Sequence, residues 1–328
     1  MYFSTLTEEQ RIQSYDYVEN FIAEQVKDWS VAPDTDAIEA EFSKRLSHME
    51  KEDFAFLILH SGYIPEFYPH DSSQETLYSK LIESLVCEWA KRIGFADSYL
   101  QKQKSNKEDI TIKVDDKIIV CDAKSFRLGR SQAAPNVKDT IKKQAYTTWL
   151  EQYDANSRIG GLVTFPSLHD WKKESEAYSY FTEGTPPIML LFYEQMAFIL
   201  LKDIDCNKII HFLNSYKDIY PDASKDKTVY LTGLNDNLFN DLLEEYNTFT
   251  QEAKQFLTER VNHTLKRIAN ILKRNYIIIQ NEVNKISYAE LKRQSIREKF
   301  NAQFGHLCKQ SDNIKEFRIL KKGTEKEQ

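Results

Sequence analysis

The chain has 328 residues, 41% of them hydrophobic and 29% charged, which is enough to bury a substantial core as one large domain or as a core with helical additions. Only 9 glycines are present, and neither G-x-x-x-x-G-K-[ST] nor G-x-G-x-x-G occurs, which argues against nucleotide-loop enzymes. Cys87, Cys121, Cys206 and Cys308 are widely spaced without a C-x-x-C pair, and the histidines lack zinc spacing or an H-N-H pattern, so neither a zinc site nor a disulfide framework is expected.

The net charge of −6 is unevenly spread. Residues 251–328 hold 17 Lys+Arg against 9 Asp+Glu, a net +8, which leaves −14 on the preceding 250 residues. Within these, residues 101–150 are again basic, with 11 Lys+Arg against 6 Asp+Glu. Positive charge therefore gathers in mid-chain and at the C-terminus, a distribution compatible with a polyanionic partner despite the negative sum. There is no apolar run near the length of a membrane span and no signal-peptide pattern, so a soluble, cytoplasmic protein is expected.

At the N-terminus, Thr7-x-x-Gln10 has the form of a capping box, and Tyr15, Val18, Phe21, Ile22 and Val26 recur at helical spacing. A second helix is predicted from about Asp36 to Glu52, and residues 1–60 read as an acidic helical scaffold without chemistry of its own. After the loop GYIPEFYPHD, Ser72 or Ser73 starts a helix that ends before Gly94, with Leu77, Leu81, Leu85 and Trp89 as its apolar stripe. Glu75 falls inside the edge of that stripe and Glu83 just past it. Glu75 has two readings: a carboxylate leaning toward a buried partner, or the acid of a Ser72-x-x-Glu75 capping box.

The centre of the chain is SNKEDITIKVDDKIIVCDAKSFRLGR. Two β-rich runs, Ile110 to Val114 and Ile118 to Lys124, are separated by Asp115, Asp116 and Lys117, which suits a hairpin. Asp109 opens the first strand, and the second, apolar on both faces through Ile118, Ile119, Val120 and Cys121, ends in Asp122-Ala123-Lys124. Side chains alternate along a strand, so Asp122 and Lys124 share a face, and antiparallel pairing can bring Asp109 beside them. Two carboxylates so close repel unless a cation intervenes, and their oxygen donors suit Mg²⁺ better than Zn²⁺.

Past this point Phe126, Arg127 and Arg130 leave the sheet. Arg127 can reach a phosphate or a guanine edge, or pair with the site carboxylates. Asp139 begins a helix holding Ile141, Ala145 and Trp149, while Lys138, Lys142 and Lys143 add positive charge at the same turn. Gly160 to Phe165 and Ile188 to Phe192 are two further core strands. From about Asn237 the chain is helical, with Phe256, Val261, Leu265, Ile268 and Leu272 at helical period and Lys266, Arg267, Lys273 and Arg274 mostly on other faces. Two jobs compete for that arm, packing on a second subunit or gripping a phosphate backbone, and packing on a second subunit with some phosphate contact is expected. The organisation is thus a helical region over 1–60, a core over 61–236 and a basic helical region over 237–328.

DAKSFRLGR, with VC before it and Asp139 downstream, resembles the HindIII-type restriction endonucleases. The similarity extends upstream through Ser72 to Phe95 and downstream through Ile188 to Leu200, covering roughly Pro65 to Leu201. It implies an α/β fold, a PD-(D/E)xK nuclease core with a mixed central sheet flanked by helices and helical additions at both ends. It also implies a homodimeric type II restriction endonuclease that cuts double-stranded DNA at a short palindrome with Mg²⁺, leaving 5′-phosphate and 3′-hydroxyl ends. A cognate DNA methyltransferase would belong to the same system.

Carried over by position, Asp109 and Asp122 would bind metal together with the Ala123 carbonyl. Lys124 would position the attacking water. Gln74-Glu75 matches the Gln-Glu of the family, and Glu75 would complete the metal shell. Arg127, Arg130, Lys138, Asp139, Lys142 and Lys143 would serve DNA binding. The loop SQAAPNVKD after Arg130 is longer than in the family pattern, so the bases read are not carried over. Two other readings fit the same residues: a structure-specific repair or junction-resolving nuclease, and a non-catalytic DNA-binding module.

Overall fold

The protein is seen in a computed structural model that describes residues 2–102, 106–128, 141–170, 177–184, 186–222, 226–283, and 298, 300–301, 304–307 and 309–310. Its centre is a five-stranded mixed sheet in sequential order. The strands are β1 (Tyr99–Leu100), β2 (Ile110–Val114), β3 (Lys117–Ala123), β4 (Arg158–Phe165) and β5 (Ile188–Phe192). β1, β2 and β3 pair antiparallel, whereas β3, β4 and β5 run parallel. Ile188–Phe192 is buried throughout, as an all-apolar parallel strand requires. The C-terminal ends of β3, β4 and β5 therefore lie along one edge of the sheet, where open α/β sheets place their ligands.

Twelve helices are described around it. Those that position the site are α1 (Glu8–Tyr15), α2 (Tyr17–Gln25), α3 (Thr35–Ser47), α4 (Lys51–His60) and α5 (Ser73–Arg92) before the hairpin. After it come α6 (Lys143–Leu150), α7 (Ala177–Thr182), α8 (Tyr193–Leu201), α9 (Cys206–Asn214), α10 (Tyr216–Ile219), α11 (Lys227–Phe239) and α12 (Leu243–Val283). α4 and α8 are apolar nearly all round and are buried against each other, with Phe54 to Leu59 and Met196 to Leu200 as their contribution to the core. α5 is capped by Ser72, whose hydroxyl accepts the Glu75 N–H at 3.2 Å, and the Trp89 indole N–H donates to the Met196 carbonyl at 2.9 Å.

Two predicted helices are each divided in the structure. The Thr7–Gln10 capping box is present, but the first helix breaks at Asp16, whose carboxylate is drawn out to His263 and Arg267 of α12. The helix expected from Asp36 to Glu52 ends at Ser47, and a separate helix, apolar from Phe54 to Leu59, starts at Lys51. Near the C-terminus, α11 runs across residues 236 and 237, and the chain turns at Asn240 before α12 begins.

The core is continuous from the N-terminal helices through the sheet to Tyr230, Leu234, Tyr246 and Phe249. A smaller cluster joins Tyr63 and Leu128 to Leu257, Val261 and Ile268, seating α12 on the loops beside β3. Each such large side chain contributes about 1.5–3 kcal/mol on burial, so apolar packing rather than ion pairing holds the terminal helices on the core. The uneven charge nevertheless has a structural use. Arg267 of α12 pairs with Asp16 at 2.5 Å and Glu19 at 2.6 Å, and Arg11 pairs with Glu259 at 3.0 Å. Among the described residues no helix is long and apolar enough to cross a membrane.

Candidate active site at the end of β3

The hairpin register decides what the site contains. Val114 pairs with Lys117 across a two-residue turn of Asp115 and Asp116, Asp115 taking φ +51°, a left-handed conformation that Asp tolerates better than most residues. Counting down the ladder, Ile110 pairs with Cys121, so Asp109 comes level with Asp122. The Asp109 N–H donates to the Cys121 carbonyl at 3.1 Å, and Asp109 Oδ2 in turn accepts the Ala123 N–H at 3.1 Å. The first aspartate is thereby fixed to the strand that carries the second.

Asp122 is 6% exposed, and Lys124 Nζ lies 2.8 Å from its Oδ1. Burial pushes the Asp122 carboxyl up to about 7, Lys124 opposes that shift, and the neighbouring Asp109 reinforces it. Lys124 is itself seated on the next strand, its N–H donating to the Thr164 carbonyl at 3.2 Å. Two carboxylates crowded at a strand end, one of them pushed toward its neutral form, together with the adjacent Ala123 carbonyl, make a donor set of hard oxygens. Such a set fits a divalent cation whose remaining positions are filled by water. Among the described residues no group of three or more His, Cys, Asp or Glu forms a complete ion-binding cluster.

Tyr146 of α6 approaches Asp122 from below the sheet. It is fully buried, and its hydroxyl points at Asp122 Oδ2 at 3.5 Å, the outer limit of a hydrogen bond. Space for its ring exists because residue 161 is glycine: a Cβ there would meet Tyr146 Cδ1 at 2.4 Å. Sequence reasoning missed Tyr146. The helix expected to begin at Asp139 and to hold Ile141, Ala145 and Trp149 starts only at Lys143, with Lys142 extended ahead of it, and nothing in the spacing ties residue 146 to residue 122.

The remaining expected residues are arranged differently. Glu75 sits at the start of α5, where its carboxylate accepts the Asp71 N–H at 2.8 Å and pairs with Arg127 at 3.0 Å. Of the capping box read from Ser72-x-x-Glu75, the serine half is present, while the glutamate reaches Asp71 rather than Ser72. Glu83 is buried on the Cys121 side of the sheet, where its charge bears on the thiol of that residue. Lys142 is exposed ahead of α6. Lys143 donates to the Glu183 carbonyl and lies over the Tyr180 ring at 4.6 Å, and burial lowers the pKa of its ammonium. Arg130, Lys138 and Asp139 lie outside the described residues.

A mixed sheet whose parallel edge presents two opposed aspartates and an Asp-x-Lys pair defines a nuclease core of the PD-(D/E)xK kind. A model of the HindIII restriction endonuclease family matches residues 19–299, and the chain belongs to that family. It is a type II restriction endonuclease, a site-specific deoxyribonuclease. A search among curated proteins returns no match.

Proposed function

We propose that the protein hydrolyses double-stranded DNA at a short palindromic site with Mg²⁺, using Asp109, Asp122 and Lys124 as its cleavage centre. One observation carries this reading: the hairpin register sets Asp109 level with Asp122, with Lys124 bonded to Asp122 at 2.8 Å. The Asp109 and Asp122 carboxylates and the Ala123 carbonyl would hold the ion. Mg²⁺, when bound, supplies positive charge at the scissile phosphate and acidifies water.

The chain's own residues do the rest. Asp122 keeps Lys124 in place, and the ammonium faces the same volume as both carboxylates. There it orients the attacking water and stabilises the charge that develops on a phosphoryl oxygen in the transition state. In-line attack on phosphorus would leave 5′-phosphate and 3′-hydroxyl ends. Lys142, exposed ahead of α6, would add positive charge toward the DNA backbone. A twofold homodimer would match the symmetry of a palindrome.

The test is digestion of plasmid DNA by the purified protein with and without Mg²⁺, followed by sequencing of the product ends. Discrete fragments sharing one symmetric terminal sequence are expected. Cleavage that follows branch structure instead of sequence, or none at all with Mg²⁺, would remove the reading.

A further inference from the structure

The segment that leaves β3 is held on several sides. Phe126 stacks on Phe165 of β4 with ring centroids 5.2 Å apart and planes 4° from parallel. Its N–H donates to the Gly62 carbonyl, and its carbonyl accepts the Ile64 N–H, both at 2.9 Å. Gly62 takes φ +84°, and a Cβ there would meet the Tyr193 ring at 2.8 Å. Only glycine lets this loop lie so close to the core. The strand end at Lys124 is thus continued as a short bridge to residues 62–64.

Arg127 then closes the arrangement. Its guanidinium donates to the Pro65 carbonyl at 3.2 Å and the Pro69 carbonyl at 3.4 Å, and pairs with Glu75 at 3.0 Å. The side chain of Arg127 is 10% exposed and that of Glu75 20%, so neither extends freely into solvent. Glu75 also holds the Asp71 N–H, which joins the turn before α5 to the same contact. One arginine, three residues beyond Lys124, therefore ties the strand exit to both ends of the 65–71 loop and to the start of α5.

We propose that Arg127 and Glu75 form a positioning couple that sets the Asp122–Lys124 strand end against the 65–71 loop, rather than a DNA contact and a metal ligand acting separately. This rests on the reading of Asp109, Asp122 and Lys124 as the cleavage centre. An arginine already committed to two carbonyls and a carboxylate has few donors left for phosphate. A carboxylate committed to that arginine and a backbone N–H gives up both if it turns to an ion. The couple acts on catalysis through Lys124, by fixing the direction in which the chain continues past it.

A double-mutant cycle on the full chain tests this, with Glu75→Gln, Arg127→Gln and the double variant compared in plasmid cleavage, DNA affinity without Mg²⁺ and thermal melting. Each single variant is expected to lower kcat by roughly 10- to 100-fold with KM, the Mg²⁺ requirement and the salt dependence of DNA binding unchanged, and the double variant to fall no further than the worse single. Glu75→Asp and Arg127→Lys, assayed below their melting points, serve if the glutamine variants unfold, with partial recovery expected. The proposal is overturned if Arg127→Gln raises KM and reduces the salt slope by about 1, as for a phosphate contact. It is also overturned if Glu75→Gln raises the Mg²⁺ requirement, or if the two losses multiply in the double variant. An inactive wild type, or an Asp122→Asn variant that cuts normally, would instead strike the cleavage centre itself.

Discussion

Asp109 Oδ2 accepts the backbone N–H of Ala123 at 3.1 Å, so the carboxylate from one strand of the hairpin is anchored on the residue between Asp122 and Lys124 of the other. The two aspartates cannot drift apart without losing this bond and the Asp109–Cys121 rung beside it. The pairing of the two aspartates is thus built into the ladder itself.

Asp122→Asn and Lys124→Ala should therefore keep the fold and lose cleavage. Removing Lys124 takes away charge aimed at the reacting phosphate, a change of roughly 10²–10³-fold in kcat. Asp122→Asn should bind DNA as the wild type does, and its melting temperature should not fall, since it removes a buried carboxylate crowded by Asp109. Gel-shift, cleavage and thermal-melting assays on one preparation check these outcomes.

Gly161→Ala should act on the site from behind. Its Cβ would come within 2.4 Å of Tyr146 Cδ1 and 3.3 Å of Ile188 Cγ1, and the ring must shift because the Gly161 backbone is held in the sheet, its N–H donating to the Pro187 carbonyl at 2.8 Å. A loss of about 1–3 kcal/mol is expected from overpacking, read by denaturant unfolding. Tyr146→Phe keeps the ring and should leave stability nearly unchanged, which separates the steric effect from that of the hydroxyl.

Arg267→Ala should loosen the attachment of α12 to α2. It leaves Asp16 and Glu19, both largely covered, without their shared partner, at a cost of about 2 kcal/mol. Asp16, hydrogen-bonded to His263 and close to Arg267, has a carboxyl pKa below the ordinary value despite its burial. A lowered folded-state pKa contributes stability that is present above the ordinary Asp range and disappears as pH falls below it. In Arg267→Ala that part of the acid-side decline should shrink, which unfolding curves between neutral and acid pH will show.

Glu194 predicts the opposite slope. It is fully buried at the start of α8, with the Ser167 hydroxyl 2.5 Å from one oxygen and the Leu168 N–H 3.3 Å from the other, and burial pushes its carboxyl up to about 7. A raised carboxyl pKa costs stability as pH rises from the unfolded value of 4.5 to about 7, because the unfolded chain ionises first. The cost at pH 8 is of the order of 3 kcal/mol, from about 1.4 kcal/mol per pH unit. Glu194→Gln can present its amide N–H to Ser167 and its carbonyl to Leu168. It should melt higher than the wild type at pH 8 and lose that advantage near pH 5.

Sequence alone was enough for four of the five strands: the two-residue β1 at Tyr99–Leu100 was missed, and β4 starts at Arg158 rather than Gly160. β2 and β5 lie where their apolar and β-branched runs placed them, and β3 is displaced by one residue from the expected Ile118 to Lys124. The separation of Asp109 from Asp122 and the two-residue turn between Val114 and Lys117 determine that the aspartates come level, because a ladder has only one register once its turn is set. That part is local, and a period of two carries it.

The tertiary structure decided everything that depends on a partner far along the chain. Glu75 pairs with Arg127, 52 residues away, and no spacing rule links a helix start to a strand exit. Tyr146 reached Asp122 only because α6 folds under the sheet at Gly161. The break at Asp16 and the inward turn of Arg267 were invisible for the same reason: the two are 251 residues apart, and their meeting is set by how apolar faces pack. Hydrogen bonds along a strand are dictated by neighbours in sequence, whereas the pairing of charges between elements waits for the core to bring those elements together.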